Sequence, residues 1–328
     1  MTRRAAPEAD EVGRAAPDGI IVRPATRDDL AACEDVWRAS QNDYLVPLGQ
    51  HEIPPDNAQL RLLHAHLLAT DPGLFWVATR RDPNNANAAS SVVAFVAAAR
   101  RGPAWFLSML YVRPDEQHRG LGRLLLERIL PADGAIRAVA TDPAQPISNG
   151  LYASVGMVAR VPVFNLIGRP TRLDRLAALP SGVVIARFGD GDGGPDPAVS
   201  AEINDLDQEV LGFEHPADHA FHRRGGRICS TYRDAAGRLA GYGYTSAVGR
   251  IGPVAVRPNL PLGAVVADLL TAVPPRGASS IWVTGQAGPT IEMLVLAGLR
   301  IEGFPVLLGW NRAFAAFDRY VPTSPGLL

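Results

Sequence analysis

Six consecutive residues, Gln117-His118-Arg119-Gly120-Leu121-Gly122, have the types and spacing of an anion-binding turn. They follow an apolar run, Trp105 to Val112, that reads as a buried strand ended by Pro114. They lead straight into a helix predicted over Leu121 to Leu130. Its residues Leu121, Leu124, Leu125 and Ile129 share one face, while Arg123, Glu127 and Arg128 turn elsewhere. A glycine turn at a helix N-terminus points free backbone N–H groups outward, and the helix dipole adds partial positive charge. Together these hold phosphate. Gly120 and Gly122 let the backbone approach a ligand with no Cβ in the way. No Lys-Ser/Thr follows, so the turn is not a Walker loop. The Rossmann glycine triad is incomplete, and no acidic residue ends a following strand at the expected distance.

The wider pattern Val112-x-Pro114-x-x-Gln117-x-x-Gly120-x-Gly122 resembles the acyl-CoA loop of the GNAT superfamily of N-acetyltransferases. Downstream, Asn149-Gly150-Leu151-Tyr152-Ala153-Ser154-Val155-Gly156-Met157 is similar to that family's N-x-x-Y-x-x-x-G helix. The resemblance implies acetyl-CoA as cosubstrate, no metal, and transfer of acetyl to a primary amine by direct attack in a ternary complex. It implies that the amides of Gln117, His118, Arg119, Gly120, Leu121, Gly122 and Arg123 take the pyrophosphate. The backbone of Leu110, Tyr111 and Val112 would pair with the pantetheine arm, which Asn149 also contacts. Tyr152 would meet the sulfur and act as general acid, because a thiolate leaves when an amine attacks a thioester. The alternative class is a non-catalytic acyl-CoA sensor or interaction module.

The elements that must position these residues run, from 19 to 168, in the order β, α, α, β, β, β, α, β, α, β, which resembles the GNAT fold throughout. A strand at Gly19 to Arg23 precedes a helix from Ala25 to Ser40, with Thr26 as N-cap and Asp28 and Asp29 in its first turn. An irregular polar segment is expected from Ser40 to Pro55, and a second helix from Gln59 to Ala69. The family fold predicts a mixed sheet that splays at the motif strand. Residues 169–181 read as a Pro-bounded linker.

The second half echoes the first. Gly182 to Arg187 repeats Gly19 to Arg23, Val256-Arg257-Pro258 repeats Val112-Arg113-Pro114, and Ala297-Gly298-Leu299 repeats Val155-Gly156-Met157. The turn after Pro258 is shorter, and it has lost the Gln and the first Gly. Leu294 and Ile291 fall where Tyr152 and Asn149 stand. The expected fold class is therefore α/β (α+β): two tandem GNAT-like domains, each a mixed, mostly antiparallel twisted sheet flanked by helices. The catalytic copy covers 19–168 and a degenerate copy 182–311, followed by a C-terminal tail at 312–328.

The general base is the least legible part. The motif strand offers Ser108 and no carboxylate. Asp43, His51 and Glu52 in the polar segment, a water, or the C-terminal carboxylate of Leu328 are the candidates. His215, His219 and His222 lie at i, i+4 and i+7, as ligands on one helix face would, with Pro216 in the first turn. With no nearby cysteine or second carboxylate cluster, an ordinary polar helix face is the expectation. The segment Leu206 to Phe213 reads as a helix ending at Gly212. His64 and His66, two apart on a helix, do not face together. Asp190 and Asp192 argue against phosphate at their Gly-rich loop.

The whole chain sets the frame. Its 328 residues suggest two domains, and 32 basic against 33 acidic residues leave a formal net charge of −1. That balance does not favour a nucleic-acid or membrane partner. The expected partner is a small-molecule or peptide amine: an aminoglycoside, amino acid, polyamine, amino sugar or protein N-terminus. Cys33 and Cys229 form no disulfide framework, and with no apolar span in sight the expectation is a cytoplasmic protein. Residues 1–18 read as a disordered lead-in.

Overall fold

The computed structural model describes Pro17 and residues 19–81, 90–132, 134–189 and 194–328. The lead-in at 1–18, apart from Pro17, lies outside the described residues, as do Asp190 and Asp192.

The first half runs β1 (Ile20–Pro24), α1 (Leu30–Leu45), α2 (Ala58–Thr70), β2 (Phe75–Arg80), β3 (Ser91–Arg101), β4 (Ala104–Val112), α3 (Leu121–Ile129), β5 (Ile136–Thr141), α4 (Pro146–Ser154) and β6 (Val158–Gly168). The second half repeats this order: β7 (Val184–Phe188), α5 (Pro197–Leu211), α6 (Pro216–Arg224), β8 (Ile228–Arg233), β9 (Leu239–Thr245), β10 (Arg250–Val256), α7 (Leu262–Ala272), β11 (Ser279–Thr284) and α8 (Gly288–Leu296). The short β12 (Arg300–Ile301) and β13 (Val306–Trp310) together take the place of a tenth element, and β14 (Tyr320–Val321) closes the chain. The architecture is mixed α/β, with mostly antiparallel strands flanked by helices.

By its contacts the chain forms two compact units. One holds the described residues of 1–68, 72–97 and 110–130, the other those of 69–71, 98–109 and 131–328. In the first, β1 pairs antiparallel with β2 (Ile20 opposite Arg80) and β2 with β3. Its interior includes Val36, Leu67, Phe75, Val77 and Phe95. The helix α3 adds Leu121, Leu124, Leu125 and Ile129, the apolar face legible in the sequence, and Leu126 beside it. Each such side chain contributes about 1.5–3 kcal/mol when fully buried.

The entry to α1 differs from expectation. A short tight turn at Arg27–Asp29 precedes the helix, and the Asp29 carboxylate accepts from the Thr26 amide and hydroxyl, both at 2.8 Å. The Arg23 guanidinium forks onto the same carboxylate at 2.7 Å on each side. At its far end α1 continues five residues beyond Ser40, so Asp43 and Tyr44 are helical and not part of an irregular segment. Tertiary bonds explain the extension. Gln41 donates to the Tyr111 hydroxyl at 2.9 Å, and Asn42 bonds both backbone groups of Ile53.

In the second unit, the first part of β4 pairs parallel with β5 from Ala104–Ile136 to Leu107–Val139. β5 then pairs with β13, β13 with β6, and β6 with β11. β6 is thus seated against the fifth strand of the second half, β11, and β13 against the fifth strand of the first, β5. Beyond β11 the order is β10, β9, β8, β7, with β10 and β11 parallel.

The pairing of β10 with β11 covers only Arg250 and Ile251. Past that point Val254 and Ala255 pair instead with Val321 and Tyr320 of β14. The chain's own tail therefore fills the opening between β10 and β11. Gly252 makes this approach possible: its φ is +123°, and a Cβ there would lie 2.7 Å from the Pro322 carbonyl oxygen.

Candidate functional site

The Gln117–Gly122 turn is built by backbone geometry that its sequence permits. Pro114–Glu116 makes a tight turn after β4, and Gln117 returns to an extended conformation. His118 and Gly120 then take left-handed φ values of +62° and +81°. For Gly120 this is free of steric cost, while for His118 it is an uncommon conformation of the kind that concentrates at functional turns. Gly120 is the N-cap of α3 and offers no side chain to its first N–H groups. The start of α3 therefore presents orphan donors, which an anion satisfies.

Side chains brace the turn from behind. Gln117 Nε2 donates to the Val112 carbonyl at 3.1 Å, and Ser40 Oγ donates to the same oxygen at 2.8 Å. The Val112 carbonyl is thus already engaged, which narrows the strand groups left for a ligand. Buried Glu116 accepts from Arg80 at 2.5 and 2.6 Å and from Arg119 at 3.1 Å. This ion-pair hub was not singled out in the sequence; Arg80 and Glu116 lie 36 residues apart, with no local pattern to join them. Arg119 and Arg123 remain partly exposed on the turn's outer side.

Leu110–Val112 and Gln117–Arg123 belong to the first compact unit, Asn149 and Tyr152 to the second. Both of the latter lie on α4, whose first turn is set by Pro146. The Asn149 amide donates to the carbonyls of Asp142 at 2.9 Å and Gln145 at 2.8 Å. It ties down the loop before the helix and leaves Oδ1 as its remaining polar atom. Tyr152 is 6% exposed.

Of the candidate bases, Asp43, His51 and Glu52 are exposed. Ser108 is buried and donates to the Gly326 carbonyl at 2.6 Å. Leu327 and Leu328 are buried too, so the chain end is packed and not frayed. With Arg101, Phe106, Phe213 and Asp218 they border a cavity of about 20 Å³, room for a single water.

Residues 34–157 match the profile of the acetyltransferase (GNAT) family. They are a GNAT-family domain. The GNAT domain contains the Gln117–Gly122 turn together with Asn149 and Tyr152. Over nearly its whole length the chain is similar to a putative acetyltransferase from Pyrococcus horikoshii. Identity is 15%, coverage 98% of this chain and 99% of that one, and the TM-score 0.70. A GCN5-related N-acetyltransferase from Sphaerobacter thermophilus gives 16% identity, coverage of 90% and 96%, and a TM-score of 0.57. A tandem GNAT protein from the clavulanic acid biosynthesis pathway gives 16%, 89% and 97%, with 0.53. At these identities the likeness is one of fold. No curated protein sequence matches the chain. Among the described residues, no helix is long and apolar enough to cross a membrane.

Beyond the GNAT domain, the three histidines of α6 depart from the expected polar face. His215, His219 and His222 are buried, at 1%, 3% and 1% exposure. They meet Asp207 of α5, which is fully buried and lies in the helical stretch read around Leu206. His219 Nε2 stands 2.6 Å and His215 Nε2 3.2 Å from Asp207 Oδ2. Tyr242 donates to Asp207 Oδ1 at 2.5 Å, and the Tyr244 hydroxyl is 3.1 Å from His219 Nδ1. His222 Nε2 is 3.0 Å from the Thr323 hydroxyl.

Burial disfavours a charge on His215, yet the facing Asp207 and Asp218 carboxylates hold its pKa up at about 10. Burial pushes the Asp207 carboxyl upward, but His215 and His219 outweigh it and hold the group well below the usual carboxylate range. Burial and the neighbouring His215 push His219 down. The i, i+4, i+7 spacing was visible in the sequence. The burial was not, nor the carboxylate on the preceding helix.

Proposed function

We propose that the protein is an N-acetyltransferase that moves the acetyl group of acetyl-CoA to a primary amine. The observation that carries this reading is the Gln117–Gly122 turn within a GNAT-family segment, with left-handed His118 and Gly120 opening the N-terminus of α3. The amides from Gln117 to Arg123 take the pyrophosphate, and Arg119 and Arg123 add positive charge. Leu110 and Tyr111 supply strand groups to the pantetheine arm, and Asn149 Oδ1 accepts from one of its amides. The working copy is 19–168, with 182–311 a tandem copy that has given up the cosubstrate. The pairing of Tyr320 and Val321 with β10 supports this assignment, because it fills the opening beside that strand.

In the reaction the acceptor nitrogen attacks the thioester carbonyl, the carbon–sulfur bond breaks, and the Tyr152 phenol gives its proton to the leaving thiolate. The proton released by the amine goes to water or a carboxylate. The acceptor is a small-molecule or peptide amine. A panel of amines, with release of free CoA read by a thiol reagent, tests the reading. CoA release with at least one amine class supports transfer. Tight acetyl-CoA binding without turnover on any class supports a sensor instead.

A further inference from the structure

We propose that Asp207, His215 and His219 form a binding site for one divalent cation of the zinc type. The ligand atoms are Asp207 Oδ2, His215 Nε2 and His219 Nε2, all within 4.8 Å of one another. Two imidazole nitrogens with one carboxylate oxygen suit Zn²⁺ or Co²⁺. Ca²⁺ and Mg²⁺ prefer all-oxygen sets. His215 is the N-cap residue of α6 and His219 lies one turn later, so the two rings meet with centroids 4.4 Å apart on one side of the helix. Among the described residues, neither nitrogen of buried His215 finds a partner in hydrogen-bond geometry.

Each ligand is also held from behind, as metal ligands are. Tyr242 donates to Asp207 Oδ1 and so leaves Oδ2 free to ligate. Tyr244 meets His219 Nδ1 and turns Nε2 inward. His215 Nδ1 faces Asp218 Oδ2 at 3.6 Å. Asp218 is fixed in turn by the Arg101 fork at 2.8 and 2.7 Å.

Charge points the same way. Arg101 also binds Asp71 at 2.8 Å, so one guanidinium serves two carboxylates, while among the described residues the ion-pair partners of Asp207 are His215 and His219. Arg223 reaches the Tyr244 hydroxyl, at 3.5 Å. With His215 and His219 neutral, as ligands must be, Asp207, Asp218 and Asp71 against Arg101 leave an excess of two negative charges, which a divalent cation cancels.

The spacing needs little change. Tetrahedral ligation at zinc–ligand distances of about 2.0–2.1 Å places ligand atoms about 3.3 Å apart. His215 and Asp207 already stand at 3.2 Å; His219, at 2.6 Å, must turn away from the carboxylate by less than 1 Å. Water completes the coordination. Bound there, the cation ties α5 to α6, and its uptake is read without acetyl-CoA or an acceptor, so its test is independent of the acetyl-transfer reading.

The experiment uses the full chain, stripped with a chelator and returned to Zn²⁺ or Co²⁺. Elemental analysis after desalting is expected to find about one zinc per chain. Co²⁺ should give the intense visible bands of a four- or five-coordinate nitrogen–oxygen site, bleached by added Zn²⁺. Both Asp207→Asn and His219→Gln should lose this uptake. Failure of the stripped wild type to retain stoichiometric metal, with cobalt bands no stronger than those of the aqueous ion, overturns the proposal and leaves a protonated ion pair. Equal uptake by folded variants also overturns it, since the metal then sits elsewhere. The wild-type measurement decides even if a variant does not fold.

Discussion

The Ser108 hydroxyl donates to the Gly326 carbonyl at 2.6 Å, just past the point where β4 parts from β5 at Leu107–Val139. The last residues of the chain are thereby fixed to the strand that carries the motif. Ser108→Ala removes a buried bond and strands a carbonyl, so it should cost about 1–3 kcal/mol of unfolding free energy in urea. A cost within about 0.3 kcal/mol would show that the tail is not held there.

The tail also rests on Gly252. Gly252→Ala puts a Cβ 2.7 Å from the Pro322 oxygen and strains a φ of +123°. It should destabilise the protein by about 1–3 kcal/mol and raise amide hydrogen exchange at Tyr320 and Val321. Unchanged exchange at those residues would contradict the pairing of β14 with β10.

Tyr152→Phe keeps the ring that packs in α4 and removes the proton donor. Turnover should fall by about 100-fold, with the Kd for acetyl-CoA changed less than about twofold. Steady-state rates on the best acceptor, with calorimetry alongside, separate the two. Undiminished turnover removes the assigned role.

His64 is buried edge-on against Phe75 and Phe95, and burial lowers its pKa to about 4. A histidine in the unfolded chain titrates near 6.5. Its contribution to stability is therefore fully present above about pH 6.5 and is lost as pH falls toward 4. Urea midpoints measured across that window should fall with pH in the wild type and flatten in His64→Phe. Parallel slopes for the two proteins would show that His64 is not the group responsible.

Much of this was legible because the responsible patterns are local. The α3 face and the glycine turn are set by neighbours in sequence, and both formed where expected. What was illegible depends on distant partners. α1 continues through Asn42 and Asp43, weak helix formers, because Tyr111 bonds Gln41 and Ile53 bonds Asn42. The seating of β6 on β11 and β13 on β5 leaves no trace in periodicity, since either strand would alternate in the same way beside another neighbour. The histidines of α6 were visible as a spacing, but their meaning rests on Asp207 and on the tyrosines of β9.

The central claim is that one acyl-CoA site lies at the turn before α3. Titration calorimetry of acetyl-CoA into the full chain tests it most directly, run beside Gly120→Val. Valine there must adopt φ near +81° and closes the approach to the α3 amides, at a backbone cost of about 1–2 kcal/mol. The account predicts one site per chain in the wild type, and at least a tenfold loss of affinity in a variant whose circular dichroism is unchanged. No binding by the wild type, or equal binding by the folded variant, would contradict it.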